Sequence, residues 1–244
     1  MKCPTTSSRL SELTKMSLFT IADFHLSLGT DKPMDVFKGW DNYVDRLKSN
    51  WESLVTDNDT VVIAGDISWA MKLIETEKDF GFIDSLKGTK ILLKGNHDYW
   101  WETQSKINRW LSEKGFDSIK ILFNNSFEVG DYVICGTRGW LIDCSTDEDR
   151  HILEREQGRL RLSLESAKDS DKEPVVFLHY PPIYGNQVQD GMIEIMSEYG
   201  VKKCYYGHIH GKNMIKGAFN GSYKDIEFRL VSCDALGFMP KLVR

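Results

Sequence analysis

The feature that most constrains this chain is the position of its histidines. Five of the six, His25, His97, His179, His208 and His210, stand just past short apolar runs rich in β-branched and aromatic residues; only His151 does not. Residues 18–22 precede Asp23-Phe24-His25, and 60–64 precede Gly65-Asp66. Residues 90–93 precede Gly95-Asn96-His97-Asp98, 175–178 precede His179-Tyr180-Pro181-Pro182, and 204–206 precede Gly207-His208-Ile209-His210-Gly211. Such runs read as buried strands, and the Gly and Pro residues tighten the turns that follow them. Ordinary core packing gives no reason for histidines to recur at strand ends.

The segments between these runs are helical in pattern. Phe37, Trp40, Val44, Leu47, Trp51 and Leu54 recur at alternating steps of three and four, the mark of an amphipathic helix. Strand, helix, strand makes a βαβ unit, so the runs at 18–22 and 60–64 should pair in parallel through a right-handed crossover. Further helices are expected over 70–86, 100–111, 148–168 and 192–199. Residues 119–135 alternate around an Asn124-Asn125 turn and a Gly130-Asp131 turn and read as a β meander. Ile226, Phe228 and Leu230 alternate as a late, half-exposed strand.

A chain of 244 residues exceeds a typical domain of roughly 100–200 residues only modestly. It carries no internal repeat and no Pro/Gly/Ser-rich linker. The expectation is one α/β domain over 16–244, a mixed sheet or two packed sheets with helices outside, behind a polar tail at 1–15. The balance of 41% hydrophobic and 27% charged residues excludes disordered and coiled-coil classes. A net charge of −5 gives no support to a whole-surface nucleic-acid binder. No apolar run approaches membrane-spanning length and the N-terminus lacks a signal-like apolar stretch. The five cysteines are odd in number and form no C-x-x-C pair. A cytoplasmic protein with reduced thiols, Cys204 buried among them, is the expectation.

In parallel α/β sheets, ligands bind beyond the carboxyl ends of strands. The strand-end segments would therefore deliver Asp23, His25, Asp66, Asn96, His179, His208 and His210 to one rim. Seven donors are too many for one ion with imidazole and carboxylate ligands, which takes about four. They suit two ions sharing a carboxylate. Asp66 is the best bridge, because its strand falls between the other two early motif strands. A His/Asp/Asn set without thiolate suits manganese, iron, zinc, cobalt or nickel, and is too rich in nitrogen for magnesium or calcium alone.

The ordered set D-x-H, G-D, G-N-H-D, H-x-P-P and G-H-x-H, spread over residues 23–210, resembles the calcineurin-like metallophosphoesterase superfamily. The resemblance implies a double-sheet α/β/β/α sandwich. It implies a first metal held by Asp23, His25, Asp66 and His210, and a second by Asp66, Asn96, His179 and His208. Two ions about 3.5–4 Å apart would clamp a phosphoester, manganese being the leading choice, and a metal-bound hydroxide would attack phosphorus directly. His97 would lie beside the scissile phosphate as proton donor or charge stabiliser, and Asp98 would orient His97. The substrate class implied is a phosphomonoester or phosphodiester, a small molecule or a nucleotide.

Gly65-Asp66-Ile67-Ser68-Trp69-Ala70-Met71 departs from the G-D-x-x-D-R-G pattern of the family's protein Ser/Thr phosphatases, which argues against that subclass. A nuclease of the same fold is the nearest alternative, although the acidic chain leaves little room for a DNA-binding surface. A non-catalytic scaffold for protein partners is the alternative of another class, and a complete ligand set argues against it. Trp69, Trp100, Trp101, Trp140 and Tyr184 neighbour the motifs. Core packing is their simpler role and stacking on a nucleoside the bolder one. Arg138 reads as a surface charge before a phosphate contact.

Overall fold

A computed structural model of the protein describes residues 16–140 and 143–244. The polar stretch at 1–15 lies outside the described residues. In chain order the first half contains β1 (Leu18–Ile21), α1 (Tyr43–Leu54), β2 (Thr60–Ala64), α2 (Glu77–Ser85), β3 (Thr89–Leu93), α3 (Gln104–Lys114) and β4 (Ile119–Ile121). Next come β5 (Phe127–Val129), β6 (Tyr132–Thr137), α4 (Asp147–Glu165), β7 (Glu173–Leu178), β8 (Ile183–Tyr184), β9 (Gln187–Val188) and α5 (Asp190–Glu198). The chain closes with β10 (Lys203–Tyr206), α6 (Lys212–Ile215), β11 (Gly221–Tyr223), β12 (Ile226–Leu230) and β13 (Lys241–Leu242).

Two large mixed sheets result, ordered β13-β1-β2-β3-β4 and β11-β12-β10-β7-β6-β5. In the first, β1 to β4 are parallel and β13 is antiparallel to β1. In the second, β12, β10, β7 and β6 are parallel, with antiparallel β11 and β5 at the edges. Period-two alternation assigns the faces. Val62, Ala64, Ile91 and Leu93 of the first sheet share a cluster with Ile134, Val175, Phe177 and Tyr205 of the second. Val61, Ile63 and Leu92 turn the other way, onto Leu47 and Trp51 of α1, Phe80 of α2 and Ile107 of α3. Val176, Leu178, Cys204 and Phe228 pack on Leu160 of α4 and on Met192 and Met196 of α5. The layers are helices, sheet, sheet, helices, the expected sandwich.

Several boundaries differ from the expectation. The helix expected from Phe37 begins at Tyr43, because Gly39 and Asn42 take left-handed backbone with φ of 91° and 53°. The region expected to be helical from 70 opens instead as a 3-10 turn, Leu73–Thr76, before α2. Helix α3 starts later than expected, where Thr103 caps it by accepting from the Lys106 amide. The meander also needs correction. β4 joins the first sheet in parallel with β3, while β5 and β6 form a hairpin in the second. Asn124-Asn125 is the crossing between sheets, with Asn124 at φ 58°. The segment's alternation is real, but its partners are set by tertiary packing. The late strand β12 alternates as expected, with Ile226, Phe228 and Leu230 buried.

Trp51 ties α1 to the first sheet. Its ring is fully buried, and its indole N–H donates to the Lys87 carbonyl at 2.9 Å. Trp51→Ala should destabilise the fold by about 3–5 kcal/mol, read as a lower urea midpoint with little change in slope.

Candidate metal centre

Five parallel strands, drawn from both sheets, deliver the polar residues at their carboxyl ends. Asp23 and His25 follow β1, Asp66 follows β2, and Asn96, His97 and Asp98 follow β3. His179 follows β7, and His208 and His210 follow β10. Backbone bonds draw the two sheets together at this end: the Ala22 amide donates to the Val231 carbonyl at 2.8 Å, and the Cys233 amide to the Ala22 carbonyl at 3.0 Å. The turns are strained. Asp23, His25, Asp66 and His208 have φ of 63°, 47°, 51° and 71°. Each such non-glycine conformation costs on the order of 1–3 kcal/mol and persists where surrounding structure over-determines it. Strained turns of this kind concentrate at functional sites in proteins, and these four lie at one rim.

Close approach explains Gly95. A Cβ there would lie 2.1 Å from both the backbone nitrogen and Oδ1 of Asp66. Any larger residue would displace that carboxylate.

The side chains form two converging groups. Ligand atoms of Asp23, His25 and His210 lie within 4.8 Å of one another, as do those of Asp66, His179 and His208. The groups are joined: His25 Nε2 is 3.6 Å and His179 Nε2 is 3.5 Å from Asp66 Oδ2. Asn96 Oδ1 lies 2.7 Å from His179 Nε2 and 2.8 Å from His208 Nδ1. All seven sequence-predicted donors therefore meet at one place.

Protonation chemistry tests whether these residues fit metal ions. Burial lowers the pKa of His179, so its ring is neutral and carries one N–H. Yet Nδ1 faces the Ala64 carbonyl at 3.1 Å while Nε2 faces Asn96 Oδ1 at 2.7 Å. One proton cannot serve both. Donation from Nδ1 to Ala64 leaves Nε2 and Asn96 Oδ1 as two lone pairs facing each other, an arrangement that a shared cation relieves. His25 Nε2 and His210 Nε2 likewise face each other at 3.3 Å. The donor set fits.

The carboxylates lead to the same conclusion. Burial, reinforced by the charge on Asp23, pushes the Asp66 carboxyl up to about 8. Burial alone would also raise Asp23, but the positive charge of His210 outweighs it and holds Asp23 well below the usual range. Burial would lower His210, but Asp23 beside it, 3.3 Å away, wins and raises it to about 10. Burial pushes His25 and His208 down to about 3. Without ions, the rim therefore holds protons on Asp66 and His210 where cations would otherwise supply the charge.

One residue of this centre was missed in the sequence. Asp234, beyond β12, accepts from His210 Nδ1 at 3.2 Å and from the Gly211 amide at 2.7 Å. It leaves His210 Nε2 facing Asp23. Its signal was available: a carboxylate just past a strand end. Asp98 departs from its expected partner. Its Oδ1 accepts from the amides of Ile67 at 2.8 Å and Ser68 at 3.3 Å and from Trp100 Nε1 at 3.0 Å, and its Oδ2 from the Gly95 amide at 2.7 Å. Asp98 thus clamps the β2 and β3 turns together, and His97 Nδ1 is buried without a hydrogen-bond partner among the described residues. The reason is geometric: the backbone amides of two turns saturate both Asp98 oxygens. His97 itself belongs to the centre. Its amide donates to Asp66 Oδ1 at 2.8 Å, and its ring lies 5.5 Å from that of His25.

The profile of the calcineurin-like phosphoesterases matches residues 16–212, most of the chain. The chain belongs to that family. Solved structures agree on the fold. A protein of unknown function from Aquifex aeolicus aligns over 93% of this chain and 95% of its own, at 19% identity and TM-score 0.52. The phosphopantetheinyl hydrolase from Mycobacterium tuberculosis aligns over 94% and 96%, at 14% identity and TM-score 0.56. A Thermus thermophilus protein aligns over 82% and 84%, at 12% identity and TM-score 0.53. No curated protein sequence matches.

Of Trp69, Trp100, Trp101 and Trp140, Trp69 joins the candidate centre, its ring stacked 4.9 Å from His25. Trp100 and Trp101 pack in the core. Trp140 lies under the Arg138 guanidinium, which also pairs with buried Glu156 at 3.5 Å. No helix among the described residues is long and apolar enough to cross a membrane.

Ion binding should release protons at pH 7, because Asp66 and His210 must lose theirs. Affinity should therefore rise with pH up to about 8 and beyond. Calorimetry in buffers of different ionisation enthalpy measures this directly; a buffer-independent heat would contradict it. Asp234→Ala should weaken metal binding about 10–100-fold while leaving the fold's circular dichroism intact.

Proposed function

We propose that this phosphoesterase is a dinuclear-metal hydrolase of phosphomonoesters or phosphodiesters. The observation that carries the proposal is the pair of converging donor groups, Asp23-His25-His210 and Asp66-His179-His208, with Asp66 between them. In this reading Asp23, His25, Asp66 and His210 hold one ion, and Asp66, Asn96, His179 and His208 the other. A mixed imidazole, carboxylate and amide set favours manganese, with iron, zinc, cobalt and nickel as competitors. Bound there, such ions supply positive charge to phosphoryl oxygens and lower the pKa of bound water toward about 7.

The chain's own residues do the rest. The Ala64 carbonyl and Asp234 fix the orientation of His179 and His210. Asp98 holds the turn that presents Asn96 and His97. Burial lowers the pKa of His97, so the ring is neutral at pH 7 and offers one N–H. It donates to a developing phosphoryl or leaving-group oxygen; its Nδ1 is buried without a partner among the described residues, and the residue lines the groove beside the centre. The donor set has no broken member, which favours catalysis over a scaffold role.

The test combines metal analysis with a manganese-supplemented screen of p-nitrophenyl phosphate, bis(p-nitrophenyl) phosphate and cyclic nucleotides. Close to two ions per chain and chelator-sensitive hydrolysis are expected. Asp66→Asn should lose both ions and turnover. His97→Ala should keep the metal and lose about 10²–10⁴ in kcat. Full activity in Asp66→Asn would sink the mechanism.

A further inference from the structure

A groove of about 1030 Å³ opens beside the centre, with His25, His97 and His210 at its inner end. Its volume is at the top of the ~300–1,000 Å³ span of small-molecule sites, far more than a phosphate needs. Its walls are apolar. Met34, Phe37, Trp40, Trp69, Ile215 and Phe238 line it, from segments well separated in sequence. The apolar surface starts at the centre itself: the Trp69 ring is 4.4 Å from His97, and the Trp40 ring is 5.7 Å from His210. Phe37 is 55% exposed, so the wall it forms is open to a ligand, while Met34, Trp40 and Phe238 border the groove but are otherwise buried in the core. The charges along the groove have one sign apart from Asp234, which is engaged with His210. Lys38, Lys212 and Lys216 line it and make no ion pair among the described residues, on a chain whose net charge is −5.

Resting on the hydrolase reading above, we infer that the groove holds the alcohol portion of the substrate. The substrate is a phosphoester of an apolar alcohol, aryl or alkyl, bound as a single dissolved molecule. A sugar or glycerol ester would bury hydroxyls against Trp40, Phe37 and Phe238 with no partners for them, which costs free energy. An aryl or alkyl chain gains by the same burial. The three lysines attract the anionic ester toward the mouth and leave its apolar end to the walls.

The experiment uses the full-length, manganese-loaded protein and has two arms. One compares kcat/KM for hexyl and 1-naphthyl phosphate with glycerol and ribose phosphates. The other measures binding of the non-hydrolysable hexylphosphonate against methylphosphonate by quenching of tryptophan fluorescence, since Trp40 and Trp69 line the groove. A preference for the apolar member of at least about tenfold is expected in both arms. Phe37→Ser, at an exposed position outside the core, should shrink both ratios while metal content stays constant. Equal ratios, or a preference for the polar esters, would overturn the inference. If no ester is hydrolysed, the hydrolase reading fails, and the phosphonate arm still decides whether the groove selects apolar ligands. Presenting the ester dissolved or embedded in phosphatidylcholine vesicles separates a free molecule from a membrane lipid. Turnover confined to vesicles would overturn the single-molecule form.

Discussion

The rim depends on one electrostatic constraint: more acceptors are buried together than there are protons to place between them. Asp23 and Asp66 are almost fully buried, and each raises the cost of charging the other. His179 presents both ring nitrogens to oxygen atoms with one proton to share. A protein of ordinary composition would relieve this by substituting an apolar residue, since a buried and poorly compensated charge is expensive. This chain instead concentrates the conflict at one point. Cations at the two donor groups would resolve it, and the left-handed backbone at Asp23, His25, Asp66 and His208 lies at the same point. Each left-handed residue lies just past a strand, where the chain turns.

The two sheets make that concentration stable. Strain at a turn persists only if both sides of it are anchored. β1, β2 and β3 sit in one sheet and β7, β10 and β12 in the other, with Ala22 hydrogen-bonded between them. The Asp98 carboxylate extends the anchoring, because it bonds to amides of both the β2 and β3 turns. Its burial pushes it up to about 6, so it remains largely ionised at neutral pH as the acceptor those amides require. Asp234 performs the corresponding task on the other sheet. The centre is thus held by a ring of backbone and carboxylate contacts within the protein.

Much of this was legible in the sequence, for a physical reason. Parallel strands buried on both faces must be continuous apolar runs, and their ends must turn sharply, so strands and donors announce each other. The residues that escaped do so for equally definite reasons. Phe37 and Trp40 keep the helical period of α1, but Gly39 and Asn42 break the backbone, which periodicity does not register. Residues 119–123 alternate whichever sheet they join, so β4 read as a neighbour of β5. Asp98 sits beside His97 in sequence, yet adjacent side chains diverge, and the carboxylate finds two turns of backbone instead. Asp234 has no motif around it, and only the position of β12 beside β10 brings it to His210.

Chemistry and selectivity are therefore encoded in different ways. The donors are fixed by strand ends, glycines that admit close approach, and carboxylates that orient them; a small change in any of these disturbs the rest. The groove is built from the 34–40 loop, α6 and its flanks, and the segment around Phe238, none of which is a strand of either large sheet. Loops tolerate change better than the elements they connect, except where residues such as Met34, Trp40 and Phe238 join the core. Trp40 shows the boundary between the two. It is buried, it packs on Tyr43 at 5.2 Å and on Phe238 at 5.1 Å, and it also abuts His210. Through that ring the loop is held in place by the core on one side and faces the centre on the other. An apolar loop residue of this type reads in sequence as ordinary core, which is why the candidate donors were visible in the chain and the groove beside them was not.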